Sequence, residues 1–142
     1  MGIDYKQYEK YVAKYQKENK KHLEAFRNDL EASHLSPKTI EKHIFNMDLY
    51  LNDYMNYEAP TPMKEGWCMI GMFFTWYFPR KCAFFNVTGA KSMMASLKKF
   101  YKLMVDNGLV EKEDYDEMID EMKARREEFL RYCDEYFEDD FF

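Results

Sequence analysis

The stretch Thr88 to Asp106 reads TGAKSMMASLKKFYKLMVD, and its spacing decides the fold. Met93, Leu97, Phe100 and Met104 recur in steps of four and three, the signature of one buried helical stripe. At about 100° per residue, Lys91, Ala95, Lys98 and Lys102 fall roughly 170° away, on the opposite face. Asn107-Gly108 follows as a stop signal, with glycine available for the left-handed position. This segment is therefore predicted as an amphipathic helix with an apolar side and a lysine-bearing side.

Working outward gives more helices and no strand. Upstream, Arg80 to Val87 reads as a connector holding the apolar pair Phe84-Phe85. Before it, Trp67 to Phe78 is apolar except at Gly71 and Thr75. That predicts a buried helix from about Gly66 that ends before Pro79. Tyr57 to Gly66 contains Pro60 and Pro62 and reads as a loop. Ser36-Pro37 is a helix start, and the helix it opens runs to about Asn56 with Ile40, Ile44, Met47, Leu51 and Tyr54 inward. Lys38, Lys42, Phe45, Leu49 and Asn52 lie on its other side. Phe45 and Leu49 call for cover there, either from the N-terminal helix or from another molecule.

Residues 4–33 carry the stripe Tyr5, Tyr8, Val12, Tyr15, Leu23, Phe26 and Leu30, interrupted at Asn19. One long helix and two abutting ones fit equally well. Lys6, Lys10, Lys14 and Lys17 run along another face and read as a solvated surface. Downstream, Glu113 to Phe137 is predicted as an acidic helix with Tyr115, Met118, Met122, Phe129, Cys133 and Tyr136 inward. Residues 138–142 are read as a frayed tail. The sum is an all-α bundle of five or six helices.

Composition agrees. A chain of 142 residues is expected to be one domain, and that size buries roughly 70% of the unfolded surface. Apolar residues make up 46%, which excludes wholesale disorder. Five glycines and four prolines are too few for a turn-rich β architecture. Cys68, Cys82 and Cys133 form no CxxC and lie apart from the histidines, so neither a disulfide framework nor a metal site is expected. Three reduced thiols suit a cytoplasmic protein. No signal peptide is read, because the N-terminus has no apolar h-region, and no membrane span, because the longest apolar run has twelve residues.

The net charge of −5 hides a division. Residues 1–105 hold 16 basic and 11 acidic side chains, a net of +5; residues 106–142 hold 5 and 15, a net of −10. Between Pro79 and Val105 stand Arg80, Lys81, Lys91, Lys98, Lys99 and Lys102, and no acid. Such a local field attracts phosphate even on an acidic protein. A fold-back of the acidic helix could neutralise it.

Two stretches together carry a resemblance. The first is Leu35-Ser36-Pro37-Lys38-Thr39-Ile40 with the helix to Met55, including Thr39, His43, Met47, Tyr50 and Tyr54. The second is Ser92 to Val110, with Leu97, Phe100, Tyr101, Met104, Gly108 and Leu109. Over about residues 20–112 the chain resembles the N-terminal core-binding domain of tyrosine recombinases and phage integrases, a small SAM-like helical bundle that grips duplex DNA. The resemblance implies that Lys38, Lys42 and Phe45 on the first helix face DNA. It implies the same for Lys91, Met94, Ala95 and Lys98 on the second, with Lys99 and Lys102 adding charge. Ala95 between lysines would let the helix approach a phosphate backbone closely, and lysines give affinity with little sequence choice.

The rest of that family's machinery is missing. No His-x-x-Arg occurs, so none of the twelve tyrosines has the cationic partners a nucleophile needs. No Gly-rich phosphate loop, HExxH or GxSxG is present. A non-catalytic module without cofactor is expected. A pI near 5.3 keeps a second reading open. In it the module docks, as regulator or inhibitor, on a nucleic-acid-processing protein. It would use Phe45, Leu49 and the acidic residues Asp116, Asp120 and Glu127.

Overall fold

A computed structural model describes residues 4–82 and 85–134. All regular structure among them is helical: α1 Tyr5–Ala32, α2 Pro37–Asp48, α3 Ile70–Met72, α4 Phe78–Lys81, α5 Val87–Asp106, α6 Lys112–Ala124 and α7 Arg126–Tyr132. The all-α expectation holds. The elements cluster into two compact units, one running to Gly66 and the other starting at Trp67.

In the first unit, Tyr5–Ala32 is one unbroken helix. Asp4 caps it through a 2.9 Å bond from the Gln7 amide. Ser36 caps α2, accepting from Thr39 N at 3.2 Å, with Pro37 in the first turn as the sequence signals. Beyond Asp48 the helix does not stop but widens into a π-turn, Leu49–Asp53, then tightens to 3₁₀ at Tyr54–Asn56. The inserted residue rotates the helix. Tyr50, Leu51, Tyr54 and Met55 are all buried, and Asn52 Oδ1 accepts from Asn19 of α1. Carbonyls at this helix end accept from side chains: Leu51 O from Asn19 Nδ2 at 3.5 Å, Asn52 O from Asn56 Nδ2 at 3.0 Å, and Asn56 O from the Tyr8 hydroxyl at 2.7 Å. Asn19, the gap in the apolar stripe, is thus the polar peg that seats α1 on the π-turn. Ile40, Met47 and Leu51 are buried as expected, whereas Ile44 is only half-buried, at the margin of the α1 contact.

In the second unit, α5 behaves as its spacing predicts. Met93, Leu97, Phe100 and Met104 are fully buried. Asn86 caps the start through Gly89 N at 2.7 Å. Gly108 ends it at φ 74°, with Leu109 N bonded to Met104 O at 2.8 Å and Gly108 N to Val105 O at 2.9 Å. That pair of bonds is a Schellman cap, and it requires the left-handed conformation that glycine takes without steric cost.

Three sequence expectations are corrected here. The predicted loop 57–66 gives way to a 3₁₀ segment at Met63–Cys68, so the apolar helix starts only at Ile70. That helix runs through Pro79 to Lys81 by way of a π-turn at Phe73–Tyr77. In the π-turn Phe78 N bonds Phe73 O, five residues back. The next such bond would come from residue 79, which as proline has no N–H to give. The acidic helix, predicted as one rod, breaks at Arg125 into α6 and α7. Met118, Met122, Phe129 and Cys133 still line its inner face, with Tyr115 half-buried. Phe129 stacks on Phe74 at 5.1 Å. Phe84, Tyr136, Phe137 and the tail lie outside the described residues.

Candidate functional site

On α5, Lys91, Ala95, Lys99 and Lys102 are exposed and Lys98 is half-buried. The helix leaves this face open because its apolar side is occupied by the core. Lys102 Nζ stands 3.8 Å from Asp106 Oδ2, a loose pair whose side chains are 67% and 60% exposed. Such a contact neutralises little. Met94, expected on the DNA side, is instead 1% exposed, and Arg126 Nη1 lies 3.6 Å from its sulfur. Its position, one residue past Met93, widens the buried stripe toward α7. Tyr101 is likewise fully buried, and burial pushes its phenol far above its ordinary range. The open face of α5 is therefore narrower than expected, and it consists of lysines around one alanine.

On α2, Lys38 and Lys42 are exposed, Phe45 is 55% exposed and Leu49 is half-buried. Phe45 thus keeps more than half of its surface open. The N-terminal helix packs on the Ile40–Met47 side, where Phe26 meets His43 with ring centroids 6.2 Å apart. There Arg27 forks onto Glu41, Nη1–Oε1 at 2.7 Å and Nη2–Oε2 at 3.1 Å. That hydrogen bonding holds the Glu41 carboxyl below its ordinary range. Hollows of about 300 and 330 Å³ flank the pair, lined by residues such as Leu35, Pro37 and Ile40 on one side and Leu23, Ile44 and Asp48 on the other. Charged rims and the absence of a nucleophile–base pair in either lining leave them without evident chemistry.

The acidic segment is partly neutralised from within. Lys112 Nζ pairs with Asp116 at 2.9 Å. Arg125, at the α6–α7 break, holds Glu121 and Glu128 at 2.9 Å each and lies 4.8 Å from the Phe129 ring centroid. It can lie there because residue 71 is glycine. A Cβ at that position would stand 2.7 Å from Arg125 Nη1. Asp120 and Glu127 are exposed and form no ion pair among the described residues. Of the three acids expected to meet a partner, these two present open charge and Asp116 does not.

No family model, curated protein or solved structure matches the chain. No group of three or more His, Cys, Asp or Glu side chains that could hold a metal occurs among the described residues. No described helix is long and apolar enough to cross a membrane. The sequence reading missed the Arg125–Glu121–Glu128 cluster. The i, i+4 and i, i+3 spacings were visible, but the glycine seat that admits Arg125 lies 54 residues away.

Proposed function

We propose that the chain is a non-catalytic module that binds duplex DNA, with the exposed face of α5 against the phosphate backbone. The observation that carries this reading is the open face Lys91–Ala95–Lys98–Lys102, with Lys99 beside it and no acid between Pro79 and Val105. Ala95, exposed between lysines, lets the helix approach phosphates without a bulky side chain intervening. Lysine ammonium groups there release counterions and select little sequence. The likeness of residues 20–112 to the integrase core-binding domain points the same way. Lys38 and Lys42, exposed on α2 in the first unit, are a separate candidate contact. The test is titration of a labelled duplex at two salt concentrations, with wild type and with Lys91, Lys98, Lys99 and Lys102 all changed to Glu. Wild type should weaken steeply with salt and the variant should lose most affinity. No binding by wild type at low salt refutes the reading.

The open charges of Asp120 and Glu127 favour a second reading, docking on a nucleic-acid-processing protein. In that case the four lysine changes leave partner capture intact after nuclease treatment. Charge reversal at Asp116, Asp120 and Glu127 abolishes it.

A further inference from the structure

The lysines of α1 form a second surface that the α5 reading does not use. Lys6, Lys10, Lys14, Lys17 and Lys21 are all exposed, and none forms an ion pair among the described residues. At about 100° per residue they fall within roughly 80° of arc. At about 1.5 Å rise per residue they extend over roughly 22 Å of helix. No acid lies in that arc before Glu24; Glu9 and Glu18 flank it. Outside the lysine arc the same helix is fixed to its unit. Tyr8 bonds Asn56 O at 2.7 Å, Asn19 bonds Asn52 Oδ1 at 2.7 Å, and Arg27 bonds Glu41. The ladder is thus presented on a helix whose position is fixed before any ligand arrives.

We propose that this ladder is a sequence-independent binding surface for the phosphate backbone of a nucleic-acid duplex. Charge complementarity selects a polyanion, and the side-chain chemistry selects which one. A single strand needs open aromatic platforms between the cations, but Tyr5 and Tyr11 lie outside the lysine arc, and Tyr15, whose ring centroid is 5.8 Å from Lys14 Nζ, is half-buried. A membrane surface needs an apolar face to insert beside the cations. The apolar face of α1, with Tyr8, Val12 and Tyr15, is half-buried against its own unit. A duplex backbone needs neither, only spaced ammonium groups along a rigid line. The inference rests on the duplex-binding reading but not on the α5 lysines.

The test uses the full chain and a labelled random-sequence duplex, with affinity measured against salt. Changing Lys6, Lys10, Lys14, Lys17 and Lys21 together to Gln removes five cations while keeping good helix formers. An unchanged circular dichroism spectrum and melting temperature establish that the fold is kept. We expect the log–log salt slope to fall in magnitude by about 4–5 and affinity to drop at least tenfold on every duplex sequence. Lys→Arg at the same five positions should restore both. A folded Gln variant with unchanged slope and affinity overturns the ladder and leaves the α5 reading standing. If the α5 Glu variant instead keeps full, ladder-dependent binding, the α5 reading fails and the ladder stands. Tighter ladder-dependent binding to oligo-dT or to phosphatidylserine vesicles than to duplex overturns the choice of ligand. A wild type that binds no duplex at low salt overturns both.

Discussion

The Cys133 thiol donates a hydrogen bond to the Phe74 carbonyl oxygen across 3.4 Å. Phe74 lies five residues before Pro79, in the π-turn where that carbonyl would have accepted from the amide that proline lacks. A side chain 59 residues away therefore supplies the donor that the local backbone cannot. Arg80 bridges the next two carbonyls more loosely, with Nη1 3.4 Å from Thr75 O and 3.5 Å from Trp76 O. The helix passes through a proline because its orphaned acceptors are met from outside the ladder.

Cys133→Ala should accordingly cost more than the loss of a small apolar group. It leaves a buried carbonyl without a donor, worth roughly 1–3 kcal/mol. Cys133→Ser keeps a donor and should fall between wild type and Ala. Urea midpoints at constant m-value measure the order, and Ala equal to or above Ser would contradict it.

The three thiols should differ sharply in reactivity. Cys68 is exposed, while Cys82 and Cys133 are buried. Burial, and secondarily the neighbouring Cys82, pushes the Cys133 thiol up to about 12. At pH 8 an aromatic disulfide reagent should label Cys68 within minutes and Cys133 only at the rate of unfolding. Mass mapping of the labelled peptides reads this directly.

Leu97, fully buried on α5, anchors the second unit. Leu97→Ala should destabilise it by about 2–5 kcal/mol, while Lys99→Ala on the exposed side should change stability by less than about 0.5 kcal/mol. Thermal melts of the two variants check the contrast.

Among the described residues, Gly108 at φ 74° and His34 at φ 60° hold left-handed backbone. His34→Gly removes a Cβ from a conformation that disfavours it. Net of the looser unfolded chain, it should stabilise by about 0.5–1 kcal/mol. Gly108→Ala introduces the same strain at the α5 cap and should destabilise. Opposite shifts in the urea midpoint are the expected result.

Burial lowers the His22 imidazole below its ordinary value, with the nearby Glu18 opposing the shift. A histidine whose folded value is depressed binds fewer protons folded than unfolded. Its contribution is complete above the unfolded value, about 6.5, and is lost as pH falls through the lower folded one. Stability should therefore decline between pH 7 and pH 5, and the decline should be shallower in His22→Gln.

The sequence by itself determined what is local: the all-α class, the caps at Ser36 and Gly108, and the buried register of Met93, Leu97, Phe100 and Met104. It also placed Lys91, Ala95 and Lys102 on the open side of α5, because a regular helix has only one phase relative to its apolar stripe; Lys98, placed with them, is half-buried. Only the tertiary structure decided where that regularity is broken. Whether Pro79 ends a helix depends on a donor arriving from Cys133. Whether Asn19 interrupts α1 or seats it depends on the Leu51 carbonyl, 32 residues away. The helix that opens at Pro37 widens into a π-turn at Leu49–Asp53, and α1 packs on the side of α2 that holds His43, where Phe26 meets its ring. Each of these outcomes turns on a hydrogen-bond or packing partner remote in the chain, and helical periodicity carries no information about such partners.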